Sequence, residues 1–181
     1  REMLPLRAMT GDDVPLGMRL TEQAGWNQTA ADWRRFLAME PEGCFVAEAD
    51  GRPVATATAC TFHSVGWIAM VLVDEAFRRR GIGTALVRRT VDYLDRRGVA
   101  TVRLDATPLG QTVYVGLGFV AEYELLRFEG VARGERPSSP PVRPAGEDDF
   151  EAVLDLDRQV SGTDRRKLLE HLLRQQPGSL H

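Results

Sequence analysis

The sequence predicts an α/β chain of the mixed-sheet (α+β) kind, and three observations carry that prediction. Residues 44–49, 54–62 and 67–73 are rich in β-branched and aromatic side chains, with turn-like separators at Asp50-Gly51 and residues 64–66, the pattern of an antiparallel meander. Residues 83–97 place Leu86, Val87, Val91 and Leu94 on one face and Arg88, Arg89, Asp92, Asp95 and Arg96 around the other, an amphipathic helix that Gly98 stops. A strand at residues 101–106 follows it, so strand, helix and strand alternate.

The remaining elements fall in place around these. Residues 4–8 read as a short strand. Thr10 with Asp12 and Asp13 is a helix-start signal leading into residues 14–24, and Gly25 ends that helix. After Trp26-Asn27-Gln28, Thr29 caps a second helix in which Trp33, Phe36 and Leu37 fall at i, i+3 and i+4 before Pro41 closes it. Past residue 106, a short helix begins at Pro108 and runs to about Leu117, and a strand or strand pair covers residues 119–128.

Composition sets the class. Of 181 residues, 43% are hydrophobic and 27% charged, a balance that buries a real core. The net charge of −3 gives no global field to draw nucleic acid or an anionic membrane, so any anion site is local. Cys44 and Cys60 each sit in an apolar run and read as buried free thiols of a reducing compartment. No stretch approaches the roughly 18 apolar residues of a membrane span, and the start lacks a signal-peptide core, so a cytoplasmic protein is expected. Because it begins with Arg1 rather than Met, the chain reads as trimmed.

Residues 131–144 carry Gly134, Pro137, Ser138, Ser139, Pro140, Pro141 and Pro144, a semi-rigid linker that ends a first domain of residues 1–130. Beyond it the opening of the chain recurs at a constant offset of 136. Leu6-Arg7-Ala8 with Asp12-Asp13-Val14 finds Val142-Arg143-Pro144 with Asp148-Asp149-Phe150, and Pro41 finds Pro177. A helical pattern from Lys167 to Leu173 stands in the place of the Trp33 helix. Residues 145–181 therefore read as the helical start of a second, similar domain, with a generic helical tail as the alternative.

The chemistry concentrates where the strand ending in Val71-Leu72-Val73 runs through Arg78-Arg79-Arg80-Gly81-Ile82-Gly83 into a helix. Unpaired backbone N–H groups and the positive helix end there form a phosphate nest, glycines allow close approach, and arginines add charge. A dinucleotide fingerprint fits poorly, since Leu86 holds its third glycine position and Gly81 lies eight residues after Val73. A P-loop fails because no Lys-Ser or Lys-Thr follows Gly83. A solvated Arg run at a glycine-rich helix start stays open for the motif taken alone.

Residues 71–86, with Arg78-x-x-Gly81-x-Gly83 at their centre, resemble motif A of the GCN5-related N-acetyltransferase (GNAT) superfamily, and Tyr114-Val115-Gly116-Leu117-Gly118-Phe119 resembles its second signature. The resemblance spans residues 4–129 and implies an acyl-CoA N-acyltransferase fold binding acetyl-CoA. It implies that backbone groups of Val71 and Val73 pair with the pantetheine arm, with Leu72 between them in the cofactor site, and that Arg78, Arg79, Arg80, Gly81, Ile82, Gly83 and Thr84 hold the pyrophosphate, with Arg79, Arg80 or Arg88 reaching the 3′-phosphate. Thr107, followed by Pro108, replaces the Asn that many members carry after the fifth strand and weakens one cofactor contact. Tyr114 sits by the thioester sulfur as the acid, while Asp105, Glu75 and His63 are candidate bases, or ordered water takes that role. A phenol of pKa about 10 can protonate a thiolate whose conjugate acid lies near 8.5. Trp26, Asn27, His63, Trp67 and Tyr123 are candidates for lining the acceptor channel. The implied activity is transfer of an acetyl group to a primary amine of a small molecule or peptide. A non-catalytic acyl-CoA binding or sensing module is the alternative. No nucleic acid, membrane or metal is expected as partner, and a homodimer is left open.

Overall fold

The computed structural model describes residues 4–131 and 143–176, in two units, Arg1–Phe119 and Val120–His181. In the first unit, β1 (Leu6–Ala8), β2 (Cys44–Ala49), β3 (Arg52–Phe62), β4 (Val65–Val73) and β5 (Thr101–Leu104) form one sheet in that order. Successive pairs from β1 to β4 are antiparallel and β4–β5 is parallel. Two helices, α1 (Val14–Gln23) and α2 (Ala30–Met39), lie between β1 and β2, α3 (Ile82–Arg96) crosses from β4 to β5, and α4 (Pro108–Gly116) follows β5. Mixed sheet and meander are as the sequence predicts, and the helix starts match as well: Thr29 Oγ1 accepts from the Asp32 N–H, and Thr107 Oγ1 from the Gly110 N–H.

Side chains alternate across the strands and so build two cores. Ala55, Ala57 and Ala59 of β3 face Ile82, Leu86, Val87 and Leu94 of α3, where small residues let a bulky helix face lie close to the sheet. On the other face Cys44, Val46, Met70 and Leu72 meet Leu16, Leu20 and the fully buried Trp33. A Cβ at Gly17 would fall 2.5 Å from the Trp33 ring, so glycine there sets the approach of α1 to α2. Both cysteines are buried and free, as expected, and burial pushes the Cys44 thiol up to about 12. Among the described residues no helix is long and apolar enough to cross a membrane.

The strand expected at residues 119–128 is not formed. Residues 120–131 carry no regular element, and Val120, Tyr123, Leu125, Leu126 and Phe128 are exposed. β-propensity measures fit to a half-buried pleated surface, and this run meets no ladder partner among the described residues. Residues 132–142, most of the expected linker, lie outside the described residues, as does Pro177.

The second unit repeats the 3-10 turn and the two helices of the opening of the first, while Arg143 and Pro144, at the positions of Arg7 and Ala8 in β1, are not in a strand. Turns of 3-10 helix at Gly11–Asp13 and Glu147–Asp149 precede α1 and α5 (Phe150–Ser161), and α6 (Arg166–Gln175) stands 136 positions after α2. In the first unit Arg7 grips Asp13 with two bonds of 2.8 Å, donates to the Ala8 carbonyl, and Asp13 accepts from the Thr10 N–H. In the second, Arg143 grips Asp149 at 2.7 and 2.6 Å, donates to the Pro144 carbonyl, and Asp149 accepts from the Gly146 N–H. The arginine beside Asp149 holds its carboxyl down at about 2.

One repeat position separates the two copies. Leu20 is 1% exposed against the sheet, whereas its counterpart Leu156 is 62% exposed. Leu20→Ala is expected to cost about 2–4 kcal/mol of stability and Leu156→Ala to stay within about 0.5 kcal/mol, as read by urea unfolding.

Candidate functional site

The site is built on a strand that loses its neighbour. Pairing of β4 with β5 runs from Val65–Thr101 to Ile68–Leu104 and stops, while β4 continues to Val73. The Asp74 N–H faces β3, donating to the Val54 carbonyl at 2.9 Å. By alternation, Val71 and Val73 turn their amide and carbonyl groups to the vacated edge. The Leu72 side chain is buried in the core, so its part in any site is structural.

A bulge sits at the point of parting. The β3–β4 register shifts between Thr56 and Thr58, and Met70 takes a left-handed φ of 52°. The hydroxyls of Thr56 and Thr58 donate to the carbonyls of Met70 and Ala69 at 2.9 and 3.0 Å. Sequence reasoning missed these three residues. The available signal was the pair of threonines alternating with alanines in an apolar strand, since two buried hydroxyls need carbonyls that a regular ladder would not spare.

β4 leads through a short 3-10 turn, Glu75–Phe77, into α3. Arg79 (φ 62°) and Gly81 (φ 81°) are left-handed, which folds the chain back so that the α3 N-terminus points at the end of β4. The first bond of α3 is Ala85 N–H to the Gly81 carbonyl, which leaves the N–H groups of Ile82, Gly83 and Thr84 without a helical acceptor. Ile82 itself is buried against the sheet. A Cβ at Gly83 would meet only Val73 Cγ2, at 3.6 Å, so the protein's own packing does not require glycine there.

The arginine run divides. Arg78 donates to the Val73 carbonyl at 3.1 Å and lies 3.4 Å from the Glu75 carboxylate. Arg80 lies over the buried Phe77 ring at 4.8 Å and donates to the Ala76 carbonyl. The guanidinium groups of Arg79 and Arg88 form no hydrogen bond or ion pair among the described residues and stay available as cations.

Beside the parting of the strands, Asp105 follows β5 directly and Thr107 caps α4. Desolvation raises the Asp105 carboxyl above its ordinary range. Tyr114, on α4, is buried edge-on to Phe119 with ring centres 6.0 Å apart, and burial raises its phenol further above neutrality. Glu75 is exposed and turned to Arg78. His63 and Trp67 are not brought to this end. His63 lies in the β3–β4 turn, roughly 25–30 Å along the strand from Val73 at about 3.3 Å per residue. Trp67 sits within the paired part of β4, opposite Arg103.

Trp26 lines a cavity of about 550 Å³ beside α1, with Asn27 exposed next to it in the loop. Arg19, on the same wall, is ion-paired to Asp74, the residue after Val73. Tyr123 is exposed in the second unit. No group of three or more metal-ligating side chains occurs among the described residues.

This arrangement has known counterparts. The family profile described as "Acetyltransferase (GNAT) family" matches residues 17–119. Holothin acyltransferase of Pseudoalteromonas sp. is 25% identical over 146 residues, covering 80% of this chain and 49% of that protein. A putative acetyltransferase of Pyrococcus horikoshii superposes with a TM-score of 0.75 at 27% identity, over 97% of this chain and 63% of that one. A crystal structure described as a "predicted acetyltransferase with acetyl-CoA" from Clostridium acetobutylicum shares the fold at a TM-score of 0.56 and 21% identity, over 70% of this chain and 96% of that one. The chain spans about half the length of the curated relatives it matches.

Gly81 and Gly83 should separate in their effect on stability. Gly81→Ala is expected to cost about 1–2 kcal/mol because its φ of 81° strains any Cβ, whereas Gly83→Ala, inside the helix with room to spare, should gain up to about 1 kcal/mol. Thermal and urea unfolding measure both.

Proposed function

We propose, from the premise that this chain belongs to the acetyltransferase (GNAT) family, that its first unit transfers an acetyl group from acetyl-CoA to a primary amine of a small molecule or peptide. One observation carries the reading: the edge of β4 that opens past Ile68 and Leu104 runs straight into the unpaired N–H groups of α3. A pantetheine arm is amide-bearing and strand-like, and a pyrophosphate suits a helix start, so one ligand of that shape satisfies both. The space at Gly83 fits it too. Val71 and Val73 would hold the arm. Backbone amides of Gly81, Ile82, Gly83 and Thr84 would hold the pyrophosphate, with Arg79 and Arg88 free to meet phosphate oxygens. Thr107 is committed as a cap and contributes no more than its hydroxyl proton.

Bound there, acetyl-CoA supplies an activated thioester carbonyl. The bulge at Met70 frees the Val71 N–H from any ladder, and such an amide stabilises the carbonyl oxygen as it gains negative charge. Tyr114 keeps its proton at neutral pH because burial raises its phenol, and it gives that proton to the departing thiolate. For the incoming ammonium we assign the base to Asp105 rather than Glu75, since Glu75 is turned to Arg78 and Asp105 follows the last paired residue of β5, with desolvation making its carboxylate more basic.

The proposal extends to residues 143–176 as the opening of a second domain of the same design. Its support is the identical element spacing and the repeated arginine–aspartate grip.

Calorimetric titration with CoA tests the site, and thiol release with a panel of amines tests the reaction. Gly83→Glu is expected to remain folded and lose CoA binding, because its carboxylate fills the nest with like charge. Tyr114→Phe is expected to keep CoA affinity and slow turnover at least tenfold. Unchanged affinity in the first overturns the site, and an unchanged rate in the second removes Tyr114 as acid. CoA binding with no transfer to any amine would make the unit a sensing module.

A further inference from the structure

The cavity beside α1 has a one-sided chemistry. Its walls include Pro15, Met18, Arg19, Glu22, Trp26 and Gln28, around a volume of about 550 Å³. Arg19 is the cation on this wall, and it is already spent: its guanidinium is ion-paired with Asp74, whose carboxyl it holds below the ordinary range. The Glu22 carboxylate, one helical turn along the same face, has no hydrogen bond or ion pair among the described residues, although the Glu22 carbonyl accepts from the Gly25 N–H at 3.0 Å. Gln28 Oε1 is shielded from water and likewise has no partner. Trp26 is anchored by its backbone N–H, which donates to the Thr21 carbonyl at 2.9 Å, and its ring supplies an aromatic wall. A carboxylate without a counter-ion beside an aromatic face favours a cation and disfavours an anion.

The position of the cavity gives that preference a use. Arg19 belongs to its wall, Asp74 belongs to the strand end, and the residue before Asp74 is Val73 on the open edge. The Arg19–Asp74 ion pair thus ties the wall that carries Glu22 to the end of the strand at which the reading above puts the thioester arm. A plain alkylamine reaching that edge would leave Glu22 unanswered. An acceptor with a second cationic group would place it there and keep its reacting amine free.

We propose that this cavity selects the acceptor, and that the acceptor is a small molecule with two cationic nitrogen groups, a diamine or guanidinoalkylamine, held at its non-reacting end by Glu22 and Trp26. The inference rests on the acyl-transfer reading for its purpose, but the binding it predicts can be measured apart from transfer.

The intact chain, with saturating CoA and without it, is titrated with 1,4-diaminobutane and with n-butylamine while the indole N–H resonance of Trp26 is followed, assigned by Trp26→Phe. The diamine is expected to shift that resonance saturably and to bind at least ten times more tightly than butylamine. Glu22→Gln, a change on the exposed helix face, should remove the preference and leave CoA affinity unaltered. In the transfer assay the same variant should raise KM for the diamine at least tenfold with kcat within about threefold, and leave butylamine unaffected. Equal binding of the two amines, or a preference that survives Glu22→Gln, overturns the proposal. Diamine binding that needs Glu22, without any acyl transfer, upholds the cavity and overturns the acyltransferase reading instead.

Discussion

The parallel ladder between β4 and β5 ends at Ile68 and Leu104, and a strand in the middle of a sheet is thereby given an edge. Such an edge is costly to keep, because amides withdrawn from water without a partner cost about 1–3 kcal/mol each and because edges invite wrong pairing. Several local devices hold it open. The bulge at Met70 breaks the register, the Thr56 and Thr58 hydroxyls occupy the carbonyls the bulge displaces, and Arg78 covers the Val73 carbonyl. The remaining outward groups of Val71 and Val73 are those a strand-like ligand would meet. The helix start at Gly81 follows that edge in the chain, and Arg19 of the cavity wall is ion-paired to Asp74 at its end.

Much of this was legible before any coordinates. Strand and helix positions followed from period and from caps, and β2 has the limits expected of residues 44–49 because Gly43 and Asp50-Gly51 bracket it. The glycine pair was legible as a strand-to-helix turn from the residues themselves, whereas Tyr114 was singled out only through the resemblance of residues 114–119 to the family's second signature. What stayed hidden depends on pairing between distant segments. Nothing near Met70 in the chain announces a left-handed φ, since the shift is shared between two strands. Residues 119–128 failed in the opposite sense, with strand composition but no partner, and composition cannot supply a ladder. His63 was a candidate through its place in the hairpin that the resemblance sets beside the acceptor channel, and the direction of β4 puts it at the end away from Val73.

The two copies of the opening segment separate local from tertiary determinants. Arg7 with Asp13 and Arg143 with Asp149 make the same grip at the same spacing, one with the aspartate buried and the other at an open surface. That grip is therefore encoded within a stretch of seven residues and needs no core behind it. Helix lengths behave likewise. Burial does not: Leu20 is covered by the sheet and Leu156 is not, and no property of the helix itself distinguishes them. Amphipathicity states which face wants a partner, while the partner has to come from elsewhere.

The same division applies to charge at the helix start. Three consecutive arginines suggest a cationic grip on phosphate, yet Arg78 and Arg80 are occupied with the Val73 and Ala76 carbonyls and with Phe77. Those two build the turn that aims α3. Arg79, which takes the strained φ, carries its charge unpaired, and the oriented N–H groups behind it act as fixed partial charges. Side chains would have to be ordered when a phosphate arrives and would lose rotamer freedom, whereas helix amides are ordered already. A nest made of backbone is thus the stiffer recogniser, and in the proposed site Arg78 and Arg80 would contribute by keeping the Val73 and Ala76 carbonyls out of a phosphate's way.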